Sequence, residues 1–223
     1  MKSIAEPLQR LGRVIGSMLT LLALLMSPPL LADELIAGKD FKTLNPPLAV
    51  DAVAVGAIEV VEFFWYGCSH CYEFEPVLAA WREKLPPDVS LRRVPALFPN
   101  NKWVAEARLF YTLEAMDLGN RLHMEVFKAI HEERKRINDP EVLAEWLKSK
   151  GVSFKKFAET MNSFGVQSRV QQTKELTMRA AIGGVPAMIV QGKYLALTTG
   201  SYGELLNVVD RLIQRARNEG AGK

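Results

Sequence analysis

The chain has 223 residues, 48% hydrophobic and 24% charged, which excludes a disordered tail, a collagenous chain and a disulfide-dense mini-scaffold. Its 28 basic and 25 acidic residues give a net charge of +3; with no basic stripe interleaved with aromatics, nucleic acid is not expected as a partner. A structural zinc needs four ligands at fixed spacings, which the two cysteines and three histidines do not provide, so no metal is expected.

Residues 1–32 read as a signal peptide. Lys2, Arg10 and Arg13 supply a positive start, and Ile15–Met26 an apolar stretch of 12 residues. Ser27-Pro28-Pro29 breaks that stretch, and Leu30-Leu31-Ala32 ends on a small residue before Asp33-Glu34. The stretch is short for a membrane span of about 20 residues. Cleavage removes three basic groups and Glu6, leaving 191 residues with a net charge of +1. Export also changes how the cysteines are read, because a disulfide can form and persist outside the cytosol.

Ile58–Trp65 is a nearly continuous run of β-branched and aromatic residues, as expected of a strand buried on both faces. Glu62 lies inside it, where an acid marks either an edge strand or a special buried carboxyl. The turn Tyr66–Cys71 follows, then a helix over Tyr72–Lys84 in which Pro76 should introduce a kink. Val89–Leu97 is a second strand candidate. From Asn101 to Ile182 the pattern is helical, with segments at Trp103–Leu118, Arg121–Arg134, Asp139–Gly151, from Ser153 onward, and Ser168–Ile182. Strands return at Pro186–Val190 and Tyr194–Leu197 around a Gln191-Gly192 hairpin signal. A last amphipathic helix covers Tyr202–Arg215. The pattern is an α/β sheet unit interrupted by about eighty residues of helix, approximately 99–182, within a single domain over 33–223.

Cys68-Ser69-His70-Cys71 carries the chemistry. Two residues between cysteines at a helix start let the sulfurs reach bonding distance. Cys68 would face the free N–H groups and dipole of the helix end, which favour an anion. A protonated His70 would add positive charge. A thiolate held this way is a good leaving group, so the disulfide is easily reduced and therefore oxidising. A plain structural disulfide is the weaker reading, since so short a loop gains little chain entropy and is strained. A c-type haem needs a His directly after the second Cys, where Tyr72 stands. His131-Glu132-Glu133-Arg134-Lys135 lacks the second His of a zinc-protease motif and reads as a solvated helix end. His123 reads as a helix-surface or packing residue, and Trp103, Phe110 and Phe127 as core.

These residues, with Val61-Glu62-Phe63-Phe64, Tyr72-x-Phe74-Glu75, Gly184-Val185-Pro186-Ala187-Met188 and Gly192-Lys193-Tyr194, occur in an order that resembles the thioredoxin superfamily. Within it they resemble the DsbA-like thiol:disulfide oxidoreductases. Ser69 stands where the best-known members carry Pro, while His70 is retained. The resemblance implies a thioredoxin-like fold with a helical insertion domain. It implies that Cys68 is the exposed nucleophile, that Cys71 is its buried partner and that Glu62 is the buried acid beneath the pair. A buried carboxyl has a raised pKa and could relay a proton to or from Cys71. The resemblance makes Pro186 a cis-proline facing the cysteines, with the Val185 N–H and C=O free to pair with an extended client. The implied function is a monomeric periplasmic oxidase, without cofactor, that passes the Cys68–Cys71 disulfide to unfolded exported polypeptides bearing free thiols. A DsbB-like quinone-linked membrane protein would reoxidise it. Two other readings stay open: a disulfide isomerase or reductase, and a thioredoxin-like binding or copper-delivery module.

Overall fold

The computed structural model describes residues 35–51, 56–98, 101–197 and 200–221; the expected signal peptide lies outside them. A five-stranded sheet in the order β1-β5-β4-β2-β3 forms the centre. Its strands are β1 (Phe41–Thr43), β2 (Ile58–Phe64), β3 (Val89–Pro95), β4 (Ala187–Val190) and β5 (Tyr194–Ala196). β2 runs parallel to β3 and antiparallel to β4, which pairs with β5. All seven residues of β2 are buried, as its nearly continuous apolar run requires. With β3 on one side and β4 on the other, β2 is not an edge strand, so Glu62 is a buried carboxyl.

Helix α1 (Ser69–Arg82) follows β2 and continues through Pro76. Between β3 and β4 run α2 (Asn101–Ala115), α3 (Gly119–His131), α4 (Pro140–Ser149), α5 (Phe154–Met161) and α6 (Phe164–Ala180). Asp139 caps α4, accepting from Glu141 and Val142 N–H with Pro140 at the first turn. α6 begins four residues before the expected Ser168, because the Ser163 side chain accepts from Val166 N–H and starts the helix there. α7 (Tyr202–Ala221) closes the chain.

Side chains alternate across the sheet. Ile58 and Val60 pack with Phe74 and Leu78 of α1 and with Leu206, Val209 and Leu212 of α7. Val61 and Phe63 pack on the opposite face with Ala180, Ile182 and Ile189. By the same alternation Glu62 shares the Val60 face, beneath α1. Phe64 leads into the helical core, with ring centroids 5.1 Å from Tyr66, 5.2 Å from Phe110 and 5.0 Å from His123. Phe110 and Phe127 are buried as expected. Trp103 is only half-buried and stacks on Trp65 at 4.1 Å instead.

The hairpin after β4 turns through Gln191 and Gly192, both with positive φ, which suits the right-handed twist of the flanking strands. A Cβ on Gly192 would lie 2.3 Å from the Leu48 carbonyl oxygen, so only glycine fits.

Candidate active site

Cys68 occupies the N-cap of α1 with extended backbone (φ −89°, ψ 116°). Its N–H donates to the Trp65 carbonyl at 3.0 Å, and its carbonyl accepts from Tyr72 N–H at 3.1 Å. Cys68 is half-buried, while Cys71, one turn on, is fully buried; both are free thiols. This unequal exposure separates their chemistry. The hydrogen bond from the Cys71 thiol, opposed by partial burial and assisted by the Cys71 and His70 N–H groups and the His70 charge, lowers Cys68 to about 6. Burial, and then the neighbouring Cys68 sulfur, push Cys71 far up. At neutral pH the pair holds one thiolate at the surface and one thiol beneath it.

Val185–Pro186 is a cis bond, and the Val185 carbonyl lies 3.5 Å from Cys68 Sγ. The two segments therefore meet. As a thiol, Cys68 donates its S–H to the Val185 carbonyl; as the thiolate it has no proton to give, and that bond is lost. Beside Pro186 a cavity of about 340 Å³ is lined by Ile182, Val185, Leu195, Leu197 and Leu205. Ser69 and His70 are exposed on the first turn of α1.

Glu62 has 0% exposure, and its oxygens accept no hydrogen bond among the described residues. Arg93 Nε is 3.2 Å from Glu62 Oε2, but its N–H is directed at Glu75 Oε1, also at 3.2 Å, while Arg93 Nη2 meets Glu75 Oε2 at 2.8 Å. Burial, reinforced by the Glu75 charge and only partly offset by Arg93, raises Glu62 from 4.5 to about 8. Glu75 is driven up by burial too, but His123 and Arg93 together outweigh that and hold it below its usual range. One guanidinium thus serves two acids, leaving Glu75 ionised and Glu62 protonated at neutral pH.

His123 is buried at 6% exposure, not a surface residue. Nε2 lies 2.8 Å from Glu75 Oε1, and Nδ1 lies 2.9 Å from the Tyr66 hydroxyl. Burial keeps the ring neutral. The partners assign the proton to Nε2, which donates to the carboxylate while Nδ1 accepts from Tyr66. A cavity of about 420 Å³ opens on the Arg93 and His123 side of this network.

His131 departs from the expected solvated helix end. Nε2 donates to the Tyr66 carbonyl at 2.7 Å, and its ring stacks on Tyr72 with centroids 5.1 Å apart. From α2, Glu106 accepts the Gly67 N–H at 3.1 Å. Helices between β3 and β4 therefore grip the two residues before Cys68. No short motif announces Glu106 or His131, because each acts on a segment far away in sequence.

The chain is similar to known proteins over most of its length. Residues 91–205 match the model of the DSBA-like thioredoxin domain. It is 44% identical over 189 residues to a Thiol:disulfide interchange protein DsbA of Pseudomonas aeruginosa, covering 83% of this chain and 88% of the relative. It is 45% identical over 175 residues to one of Azotobacter vinelandii, covering 77% and 81%. Among solved structures it resembles Pseudomonas aeruginosa DsbA with a TM-score of 0.79 at 43% identity, over 86% of this chain and 99% of that one. It also resembles the oxidoreductase DsbA of Xylella fastidiosa with a TM-score of 0.77 at 30% identity, over 82% and 98%.

Proposed function

The chain belongs to the DsbA-like thioredoxin family of thiol:disulfide oxidoreductases, and we propose that it is a periplasmic oxidase of newly exported polypeptides. The observation that carries this reading is a half-buried Cys68 at the N-terminus of α1 with a fully buried Cys71 one turn on, an arrangement that lowers the pKa of the first and raises that of the second. A client thiolate attacks Cys68 Sγ of the Cys68–Cys71 disulfide. Cys71 departs as a thiolate and takes up a proton, leaving a client–Cys68 mixed disulfide. A second client thiolate then attacks the client sulfur of that bond, and Cys68 departs as a stable thiolate. The client loses two electrons, and the cysteine pair gains them. A low leaving-group pKa drives this last step toward client oxidation.

In this reading His70, Ser69 and Glu62 tune the thiolates, Glu62 exchanging a proton with Cys71. Val185, Pro186 and the adjoining apolar cavity hold the client main chain. Residues 1–32 are a cleaved leader, residues 33–223 form one domain with a helical insertion at approximately 99–182, and the protein works as a monomer without cofactor. A DsbB-like quinone-linked membrane protein restores the disulfide. Among the described residues no helix is long and apolar enough to cross a membrane. Equilibration with glutathione redox buffers tests the reading. An oxidase gives a potential well above that of a thioredoxin-like reductant, and a potential near −270 mV would overturn it.

A further inference from the structure

His70 is the one residue of the Cys68–Cys71 loop whose side chain can bring positive charge to the thiolate, yet it stands exposed on the first turn of α1. A free imidazole there would sample several rotamers, and only some would place its charge near the sulfur. The structure shows what limits it. His70 Nδ1 lies 3.4 Å from the Tyr202 hydroxyl, and the same hydroxyl donates to Glu73 Oε2 at 3.2 Å. Glu73 Oε2 is itself 3.7 Å from His70 Nδ1. A tyrosine hydroxyl has one proton. Given to Glu73, it leaves the oxygen lone pairs facing the Nδ1–H of His70.

Tyr202 is well placed to act as a fixed post. Its ring rests on buried Phe74 of α1, with centroids 5.2 Å apart. Its backbone is the first residue of α7, and that helix end is locked reciprocally. Ser201 N–H donates to Glu204 Oε2 at 2.6 Å, and Glu204 N–H donates to Ser201 Oγ at 3.2 Å. This is the capping-box arrangement that fixes a helix start. α7 thus holds the hydroxyl against His70 and Glu73 of α1.

We infer that Tyr202 is a positioning residue for the thiol–disulfide reaction, its hydroxyl bridging His70 and Glu73 so that the imidazole is held where it stabilises the Cys68 thiolate. The inference rests on the oxidase reading for its consequence, but its geometry and its test do not depend on that reading. Exposed polar pairs of this kind contribute about 0.2–1 kcal/mol, so the effect is a tuning of the equilibrium and not a switch.

The test is a double-mutant cycle on full-length mature protein, reading the Cys68 pKa from thiolate absorbance against pH and the equilibrium constant with glutathione. Y202F keeps the ring on Phe74 and removes only the bridge. It should raise the Cys68 pKa and make the protein less oxidising by up to about fivefold, matching that energy range, with unchanged melting of the oxidised form. In an H70A background the same Y202F change should do nothing, because there is no imidazole to hold. Unchanged pKa and equilibrium in Y202F, or an equal shift with and without His70, would overturn the inference. If the wild-type potential itself is thioredoxin-like, the oxidase reading falls, while the pKa cycle still decides the role of Tyr202.

Discussion

Glu62 and Arg93 stand opposite each other in the β2–β3 ladder, and Arg93 Nε comes within 3.2 Å of Glu62 Oε2 while donating its proton to Glu75. The consequence is a fully buried carboxyl that stays protonated near neutrality, on the face of the sheet that lies beneath α1.

That arrangement predicts a pH-dependent stability. Unfolded Glu62 loses its proton near 4.5, folded Glu62 near 8. Between those values the native state binds more protons than the unfolded state, so the Glu62 contribution is fully present below 4.5 and is lost as pH rises through about 8. The whole span corresponds to at most about 5 kcal/mol. E62Q mimics the neutral acid at every pH. Its melting temperature relative to wild type should therefore rise steadily from pH 4.5 to 8 and then level off. A difference that is flat across this range would show that Glu62 is ionised in the fold.

His123 closes the other end of the network. H123A removes the partner of the buried Tyr66 hydroxyl, leaves Glu75 Oε1 with Arg93 Nε alone, and opens a void beside Phe64 and Phe127. An orphaned buried polar group costs about 1–3 kcal/mol, more for a charged one. Denaturant unfolding of the reduced protein at pH 7 should show a loss of at least about 2 kcal/mol. A smaller loss would mean that water replaces the imidazole through the cavity on that side.

The sheet end remote from the cysteines offers a contrasting test. G192A puts a side chain at φ +61° and 2.3 Å from the Leu48 carbonyl oxygen. A left-handed non-glycine residue costs roughly 1–2 kcal/mol before any clash. In a chain of this size each kcal/mol lowers melting by about 2–4 °C. The variant should melt lower while the alkylation rate of Cys68 is unchanged, which separates damage to the fold from damage to the site.

What was legible in the sequence follows from the range of the forces involved. β2, the turn and α1 could be read because periodicity and the cysteine spacing are local. β1, three residues long, has no local signature, because it exists through pairing of Phe41, Lys42 and Thr43 with Ala196, Leu195 and Tyr194 across the molecule. Glu62 was ambiguous because an acid in an apolar run looks the same at an edge and at the centre; only the strands on both sides decide. Arg93, 31 positions later, is invisible as its partner until the parallel register is known. His123 and His131 carried no local signal. Tyr202 did have one, since Ser201-Tyr202-Gly203-Glu204 has the spacing of a capping box, but nothing in that motif pointed to His70.

His70 contributes to the low pKa of Cys68 through its charge and its backbone N–H. H70A removes the charge and keeps the N–H. The Cys68 pKa should rise but stay below that of an unperturbed cysteine, because the helix-end N–H groups and the Cys71 thiol remain. Thiol alkylation rate against pH gives the value. A pKa that returns to the unperturbed 9 would assign the whole effect to His70.

The fold treats the two redox forms of the cysteine pair differently. Cys68 in the folded reduced protein titrates near 6, against 9 for the unperturbed thiol. Between those values the unfolded state holds a proton that the native state has released, so reduced-state stability rises with pH in this window. The contribution is present in full above the unfolded pKa and is lost as pH falls through about 6. Cys68 is half-exposed, so solvent screening reduces the energy below what the pKa difference alone implies. The disulfide form has no thiolate and gains nothing from the helix end, from His70 or from Cys71. Against this, the bridge restrains the unfolded chain only weakly, because its loop spans two intervening residues. The reduced protein should therefore melt above the oxidised protein at pH 7–8, the reverse of the order set by a structural disulfide. The gap should close as pH is lowered to 5. Paired calorimetric scans of the two forms at pH 5, 6, 7 and 8 measure it directly. Oxidised protein melting higher at pH 7 would mean that the Cys68 thiolate is not stabilised by this fold, and the oxidase reading would go with it.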